Sequence, residues 1–142
     1  MAGRDLQREI EELFADLWQL PRAVASRGGF RPPVDVHRSP DGSELTIVVD
    51  LAGVDPRDVR ITAAPGVITV AGERRRPAIS GRLYERMEID YGPFAREIPL
   101  RVEVDPSRAT ARYRAGLLTV ILPVAERPPR TKPVTIAVRI AR

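Results

Sequence analysis

The sequence contains no cysteine, a single histidine and no long hydrophobic run. Without cysteine the chain has no disulfide, no thiol nucleophile and no cysteine-ligated zinc, a composition that suits a reducing compartment. No apolar segment reaches the roughly 18 residues of a membrane-spanning helix. Charged residues stand where a signal peptide would be apolar, namely Asp5, Arg8, Glu9, Glu11 and Glu12. We therefore expect a soluble, cytoplasmic protein without a membrane span.

Catalytic motifs are equally scarce. His37 is the one histidine, so a multi-histidine metal site is excluded and a catalytic triad would have to use this residue. Asp35 shares its strand face, but Ser39 and Ser43 flank a tight turn and no Gly-x-Ser-x-Gly motif is present. Phosphate-binding glycine motifs are missing as well. The sequence predicts a protein that is not an enzyme, with no catalytic residues, metal site or cofactor.

The excess of basic charge is confined to the C-terminal end. The 142 residues include 23 Lys and Arg against 19 Asp and Glu, a net charge of +4. Residues 32–123 carry thirteen of each sign, whereas residues 124–142 carry five basic residues and one acidic residue. A nucleic-acid-binding domain usually has a basic stripe across its folded surface. We predict no nucleic acid partner.

Residues 1–31 are predicted to form an N-terminal arm, an amphipathic helix followed by a linker. The helix pattern ends at Pro21, and Gly28 and Gly29 lie in the linker. A lone helix cannot bury its own apolar stripe. The arm therefore docks on its own domain, or it serves self-assembly and the binding of unfolded client proteins. The stripe comprises Leu6, Ile10, Leu13, Phe14, Leu17 and Trp18.

Residues 32–123 have the alternation of apolar and polar residues that is typical of β-strands. Leu45, Ile47 and Val49, for example, share one face. Seven such runs at about 10-residue spacing, separated by turn residues, predict an all-β, immunoglobulin-like antiparallel β-sandwich. The run 117–122 is apolar on both faces. Because a two-layer sandwich buries one face of each sheet, we expect a second covering from another segment or chain.

Two further segments stand out from this pattern. Residues 72–90 form a long irregular stretch in which Arg82 to Tyr84 could form a short strand, and long loops inside compact domains are often functional. In residues 124–142 a proline-rich tether leads to an alternating apolar segment that begins at Val134. Such a segment completes the sheet of its own chain or adds to an edge or groove of a partner. Periodicity leaves both possibilities open.

Five motifs resemble those of the small heat shock proteins, the family built on the α-crystallin domain, and they occur in the order and spacing of that family. The tail segment Val134-Thr135-Ile136 resembles the Ile-x-Ile motif of that family. Ala52 and Ala115 depart from the family pattern, which has proline and asparagine there. The other matches are Asp50, Leu51, Gly53 and Val54; Gly72, Glu73 and Arg74; Tyr91, Gly92, Phe94 and Arg96; and Ala111, Tyr113, Gly116 and Leu118.

The resemblance implies an α-crystallin domain at 32–123 and a C-terminal extension at 124–142. A strand in the long loop, at Arg82, Leu83 and Tyr84, would exchange into a partner's sheet to form a dimer. Arg96 would lie near this interface and be charge-paired.

The resemblance also implies how dimers are joined. Val134 and Ile136 would insert into a groove on a neighbouring dimer, with Val59 and Ile61 on the receiving side. The overlapping pairs Ile136/Val138 and Val138/Ile140 leave the docking register open. The resulting prediction is an ATP-independent holdase chaperone that binds partly unfolded clients and suppresses their aggregation under stress, as dimers assembled into larger homo-oligomers. The alternative is a monomeric β-sandwich co-chaperone or adaptor, which light scattering would distinguish.

Overall fold

The computed structural model describes residues 29–125 and 133–141, which form two packed β-sheets. Two short 3₁₀ turns, Pro56–Asp58 and Pro106–Arg108, connect strands. The predicted all-β sandwich is confirmed. The nine strands of the described residues are β1 (Val34–Arg38), β2 (Glu44–Asp50), β3 (Val59–Ala64), β4 (Val67–Arg74), β5 (Gly92–Pro99), β6 (Thr110–Arg114), β7 (Leu117–Pro123), β8 (Val134–Ile136) and β9 (Val138–Ile140).

One sheet has five strands in the order β1-β2-β7-β6-β9, and the other has four in the order β5-β4-β3-β8. Within the described residues every strand pair is antiparallel except β6 and β9, which run parallel. The antiparallel sandwich predicted for residues 32–123 is confirmed, and the one parallel pair of the described residues involves the tail strand β9. The tail passes from one sheet to the other without reversing its direction, so it is antiparallel to β3 and then parallel to β6.

The core lies between the two sheets and follows the predicted alternation. In β2 and β7 every second residue is buried, and Val49 lies opposite Leu118 in the register of the five-stranded sheet. Ile68 and Phe94 contribute from the four-stranded sheet. Each fully buried side chain of this size contributes about 1.5–3 kcal/mol to folding. The sandwich interior is thus the main source of stability.

Two backbone positions restrict which residues the sandwich accepts, one in a hairpin turn and one on strand β4. The two-residue turn between β6 and β7 has Ala115 at φ 52° and Gly116 at φ 79°, the left-handed pattern of hairpin turns that favours Asn-Gly. Gly72 on β4 lies so close to its neighbours that a Cβ there would overlap the carbonyl oxygen of Asp58 and approach Phe94 Cζ to 2.9 Å. Glycine at position 72 is a packing requirement.

Neither described stretch contains a helix long and apolar enough to cross a bilayer.

Candidate functional site

The C-terminal tail closes one side of the sandwich. Strand β8 extends the four-stranded sheet beyond β3, and strand β9 extends the five-stranded sheet beyond β6. A single short segment therefore pairs with an edge of each sheet. Of the two possibilities left open by the sequence, the chain has its tail on its own sandwich in this structure.

Ile136 is the deepest contact of the tail. It lies opposite Ile61 in the register of β3 and β8 and exposes 6% of its surface. Val134 lies opposite Ala63 and is half-buried, whereas Ile140 remains 63% exposed. The pair Val134 and Ile136 is therefore the part of the alternating segment that pairs with β3.

Val59 lies where the tail crosses from one sheet to the other. It is buried and stands two residues before Ile61. Extending the antiparallel register that pairs Ile61 with Ile136 by two residues brings Val59 beside Val138. Val138 pairs with Ala111 of β6 and packs against the core. Val59 and Ile61 thus form an apolar floor between the two edges that the tail covers. We call this site, with the β3 and β6 edges, the tail groove.

The long loop carries the most exposed apolar side chains of the described residues. From Arg75 to Asp90 every residue is exposed, and no strand forms in this range. Leu83 is 94% exposed, whereas a leucine in a folded domain is usually buried. The strand that the sequence suggested at Arg82–Tyr84 is absent from this single chain. The exposed apolar residues of the loop are Ile79, Leu83, Tyr84, Met87 and Ile89.

Arg74 anchors the base of this loop. Its guanidinium donates hydrogen bonds to the carbonyl oxygen of Asp90 and, at 3.3 Å, to that of Ala52. It also lies 3.6 Å from the centroid of the Phe30 ring, a cation–π contact. One side chain thereby joins both ends of the loop, the β2–β3 turn and the root of the N-terminal arm. In the sequence Arg74 appeared only as part of the Gly72, Glu73 and Arg74 motif match, which did not indicate this role.

Arg76 makes a second set of contacts with aromatic rings. Its guanidinium lies 4.5 Å from the centroid of Tyr91 and 5.4 Å from that of Tyr84. Hydrogen bonding by Arg76, and then by Arg82, lowers the pKa of Tyr84. The arginine and tyrosine residues at the two ends of the loop were the signal in the sequence that could have indicated this stacking.

Arg96 points toward the sandwich interior at the β5 edge. Its Nη1 donates a 2.6 Å hydrogen bond to the carbonyl oxygen of Pro32, and burial, with a smaller contribution from Arg31, lowers its pKa. No carboxylate forms a salt bridge with it among the residues that the structure describes. Within the described residues the guanidinium donates to the Pro32 carbonyl oxygen instead, and the charge pairing expected at a dimer interface stays a prediction.

Two sheet edges stay open on the side away from the tail. Strand β1 pairs with β2 alone, and strand β5 pairs with β4 alone, within the described ranges. Open edges present unpaired backbone donors and acceptors to other chains. The loop that carries Leu83 leads into β5 through Tyr91, so an apolar segment and an open edge belong to the same region of the chain.

The residues considered for catalysis form a turn. Ser39 Oγ and Ser43 Oγ donate to Asp41 Oδ1 at 2.6 and 2.7 Å, and these bonds, led by that of Ser39, lower the pKa of Asp41 to about 2. His37 lies exposed on the neighbouring strand β1. Both hydroxyls act within the turn, and no group of three potential metal ligands occurs in the described ranges.

The predicted arm helix lies outside the described residues. Its six stripe residues, from Leu6 to Trp18, therefore have no structural description. The described residues begin at Gly29, within the predicted linker, and the next residue is packed on the sandwich: the Phe30 ring meets the Phe94 ring edge-on at a centroid distance of 5.6 Å.

The chain is similar to known proteins over most of its length. The family model described as Hsp20/alpha crystallin family matches residues 37–139. The 19.0 kDa class II heat shock protein of Oryza sativa subsp. japonica is 37% identical over 116 residues, covering 77% of this chain and 66% of that protein. The alpha-crystallin of Mycobacterium tuberculosis is 33% identical over 138 residues, covering 92% of this chain and 93% of that protein. The solved structure of heat shock protein 16.0 from Schizosaccharomyces pombe matches with a TM-score of 0.63 at 29% identity, covering 72% of this chain and 94% of that chain.

Proposed function

This chain belongs to the Hsp20/alpha crystallin family of small heat shock proteins, and on that premise we propose that it is an ATP-independent holdase chaperone in the cytoplasm. It binds partly unfolded proteins and suppresses their aggregation under stress. The observation that carries this proposal is the tail groove. Its floor, Val59 and Ile61, is apolar, and its cover is the three-residue strand β8. In the proposed mechanism this strand leaves the groove and exposes the floor to clients.

The driving force is burial of apolar surface. A partly unfolded client exposes such surface, and each Å² removed from water contributes about 25 cal/mol. A free β3 edge adds backbone hydrogen bonds to any extended segment that docks there. The sequence has no phosphate-binding loop, so neither contribution calls for nucleotide hydrolysis. Charged residues that flank the tail motif, such as Arg127 and Lys132, keep the loaded complex soluble.

The dimer forms by exchange of the long loop. Leu83, Met87 and Ile89 are exposed and lie an even number of residues apart, so an extended conformation would place them on one face. Pairing of this segment, centred on Arg82–Tyr84, with an open edge of a second copy buries that face. Arg96, at the open β5 edge, lies near the same interface.

Tails link the dimers into larger homo-oligomers. Val134 and Ile136 of one dimer occupy the groove over Val59 and Ile61 of the next, with the same contacts that the tail makes within one chain. The apolar stripe of the N-terminal arm, Leu6 to Trp18, contributes to assembly and captures clients.

A nucleotide-free aggregation assay tests this function. The chain at equimolar ratio should suppress light scattering by a heat-denatured client, and removal of residues 1–31 should weaken this protection while leaving the dimer. A chain carrying Val134→Ala with Ile136→Ala should shift toward dimers in multi-angle light scattering. Full protection without the arm would remove the arm from the mechanism, and unchanged particle mass would remove the tail as linker.

One observation favours the alternative of a monomeric co-chaperone or adaptor. The tail closes an edge of each sheet of its own chain, as it would in a molecule that stays alone. Light scattering decides, because a single mass near 15.8 kDa at all concentrations supports the adaptor and contradicts the chaperone assembly. We retain the prediction that nucleic acid is not a partner; an affinity that falls steeply with salt would contradict it.

A further inference from the structure

The outer face of the five-stranded sheet has its charges sorted by strand. We define this face by the outward side chains of its five strands, those that alternate with the buried residues. Its middle strand β7 carries only uncharged residues there, Leu117, Thr119, Ile121 and Pro123. The acidic residues all lie on β1 and β2, and they are Asp35, Glu44 and Asp50. The basic residues opposite them lie on β6 and β9, and they are Arg112, Arg114 and Arg139.

These six charged residues are exposed, and none of them takes part in a salt bridge within the described part of the chain. Arg112 and Arg139 are direct neighbours in the β6–β9 register, so both contribute positive potential at the same point of this face. Between the charged borders, Leu117 is 44% exposed. The face thus has an acidic border, an apolar centre and a basic border, and it is a different surface from the tail groove and the loop.

We propose that this outer face is a self-association surface whose partner is the same face of a second copy of the chain. Closed pairs of identical chains are built around two-fold axes. An axis that runs along β7 places the acidic border of each copy over the basic border of the other. An axis across the strands would place acid on acid and base on base. The charge pattern therefore selects the first arrangement.

The register of the sheet gives the pairs that meet. Asp50, Leu117 and Arg114 form one row across β2, β7 and β6, so Asp50 of each copy faces Arg114 of the other. Asp35 of β1 occupies the row that ends at Arg139 of β9, and these two residues face each other in the same way. The two-fold axis makes each contact twice. Leu117 and Ile121 lie on the central strand, between the four ion pairs.

The size of the face indicates a weak contact. Five strands span about 19 Å, and seven residues extend about 23 Å along a strand. The paired faces therefore bury less than about 1,000 Å² in total, below the range of stable specific interfaces. Such a contact operates when other links already hold the copies near each other, and opposite charges set its orientation.

Charge reversal tests this surface in the full-length chain. One variant carries Asp35→Arg with Asp50→Arg, and the other carries Arg114→Glu with Arg139→Glu, the two arginines that face those acids. Each variant alone has a face of mostly one sign, so face-to-face pairing should fall at least about tenfold. An equimolar mixture of the two should restore pairing, because the opposite faces are complementary. Circular dichroism and thermal melts verify that the variants fold.

The absence of cysteine provides a direct readout. Thr119→Cys places one thiol on the central strand, near the axis, where the two sheets are about 10 Å apart. A short bis-maleimide should then crosslink two copies efficiently, whereas the exposed control Arg101→Cys should react without a preferred crosslinked dimer. Crosslinking should fall in each charge-reversed background, return in the mixture and weaken at about 0.5 M salt.

Three outcomes would overturn the proposal. Thr119→Cys could crosslink no better than the control, which is the result expected if the N-terminal arm covers this face. Either charge reversal alone could leave crosslinking unchanged. The mixture could also fail to restore it, which would indicate that the arginines bind an anionic partner of another kind.

Discussion

Truncation of Ile136 tests how the tail is held in its groove. Ile136 exposes 6% of its surface, so Ile136→Ala removes three carbons from an almost completely buried position. At about 0.8 kcal/mol per carbon, the loss is about 2.4 kcal/mol, which increases the population of undocked tails roughly 60-fold. We assign the loss to the docking equilibrium, because β8 is an edge strand that pairs with β3 alone among the described strands.

Ile140 supplies a matched control four residues along the same strand-like segment. Ile140→Ala removes the same three carbons from a side chain that is already 63% exposed. Scaled by its buried fraction, the loss is about 0.9 kcal/mol, or about fivefold in the docking equilibrium. The two variants remove the same atoms from one short tail segment, and they differ in burial and in the sheet edge that each residue pairs with.

Amide hydrogen exchange reads this equilibrium at the β3 edge. Amides within Val59–Ala64 that are protected by the tail should exchange about 60-fold faster in Ile136→Ala and about fivefold faster in Ile140→Ala. Amides of β2, which lies between β1 and β7, should keep their rates in both variants. Equal acceleration by the two variants would refute the reasoning, since burial would then not determine docking.

Three further predictions concern the sandwich itself. Ala115→Asn should raise the free energy of unfolding by about 0.5–1 kcal/mol in urea titrations, because asparagine tolerates the left-handed backbone at this turn; a loss would contradict that account. Gly72→Ala should cost about 3 kcal/mol or more, since its Cβ overlaps a backbone carbonyl, and a neutral result would show that β4 can shift. Hydrogen bonds from Ser39 and Arg57 lower the pKa values of Asp41 and Asp55 to about 2, below the ordinary aspartate value of 3.8. Their stabilisation is present above about pH 4 and lost as the pH falls toward 2, so Asp41→Asn should flatten this acid limb, and an unchanged limb would contradict it.

The sandwich could be predicted from sequence because its signals are local. Alternation in 45–49 requires one buried face, and Pro, Gly and Asp between the runs determine where each strand ends. The structure buries the residues expected from this pattern, such as Ile47 and Leu122. Each of these inferences depends on neighbours along the chain, for which a single sequence carries the information.

The contacts of Arg74 could not be predicted in the same way. Its partners Phe30, Ala52 and Asp90 lie 44, 22 and 16 residues away, respectively, so no periodic pattern relates them. The same reason applies to Arg96 and Pro32, which are 64 residues apart. From sequence alone a charged side chain is interpreted as solvated surface, because only the fold shows whether an aromatic ring or a carbonyl oxygen lies beside it.

The contacts of the tail do not determine whether it docks on its own chain or on a second copy. Val134 and Ile136 would bury the same surface in their own groove or in that of a second copy, so the contact energy is equal in both states. Eight residues, 126–133, join the domain to the tail strands. A tether this short gives the chain's own tail an effective concentration of about millimolar, well above micromolar protein. In the assembly that we propose, a partner's tail replaces the chain's own tail when several links act together, and a loop-exchanged dimer with two tails would supply them. We therefore expect loop exchange to precede tail exchange, and an intact tail motif without the loop contact should leave the chain monomeric.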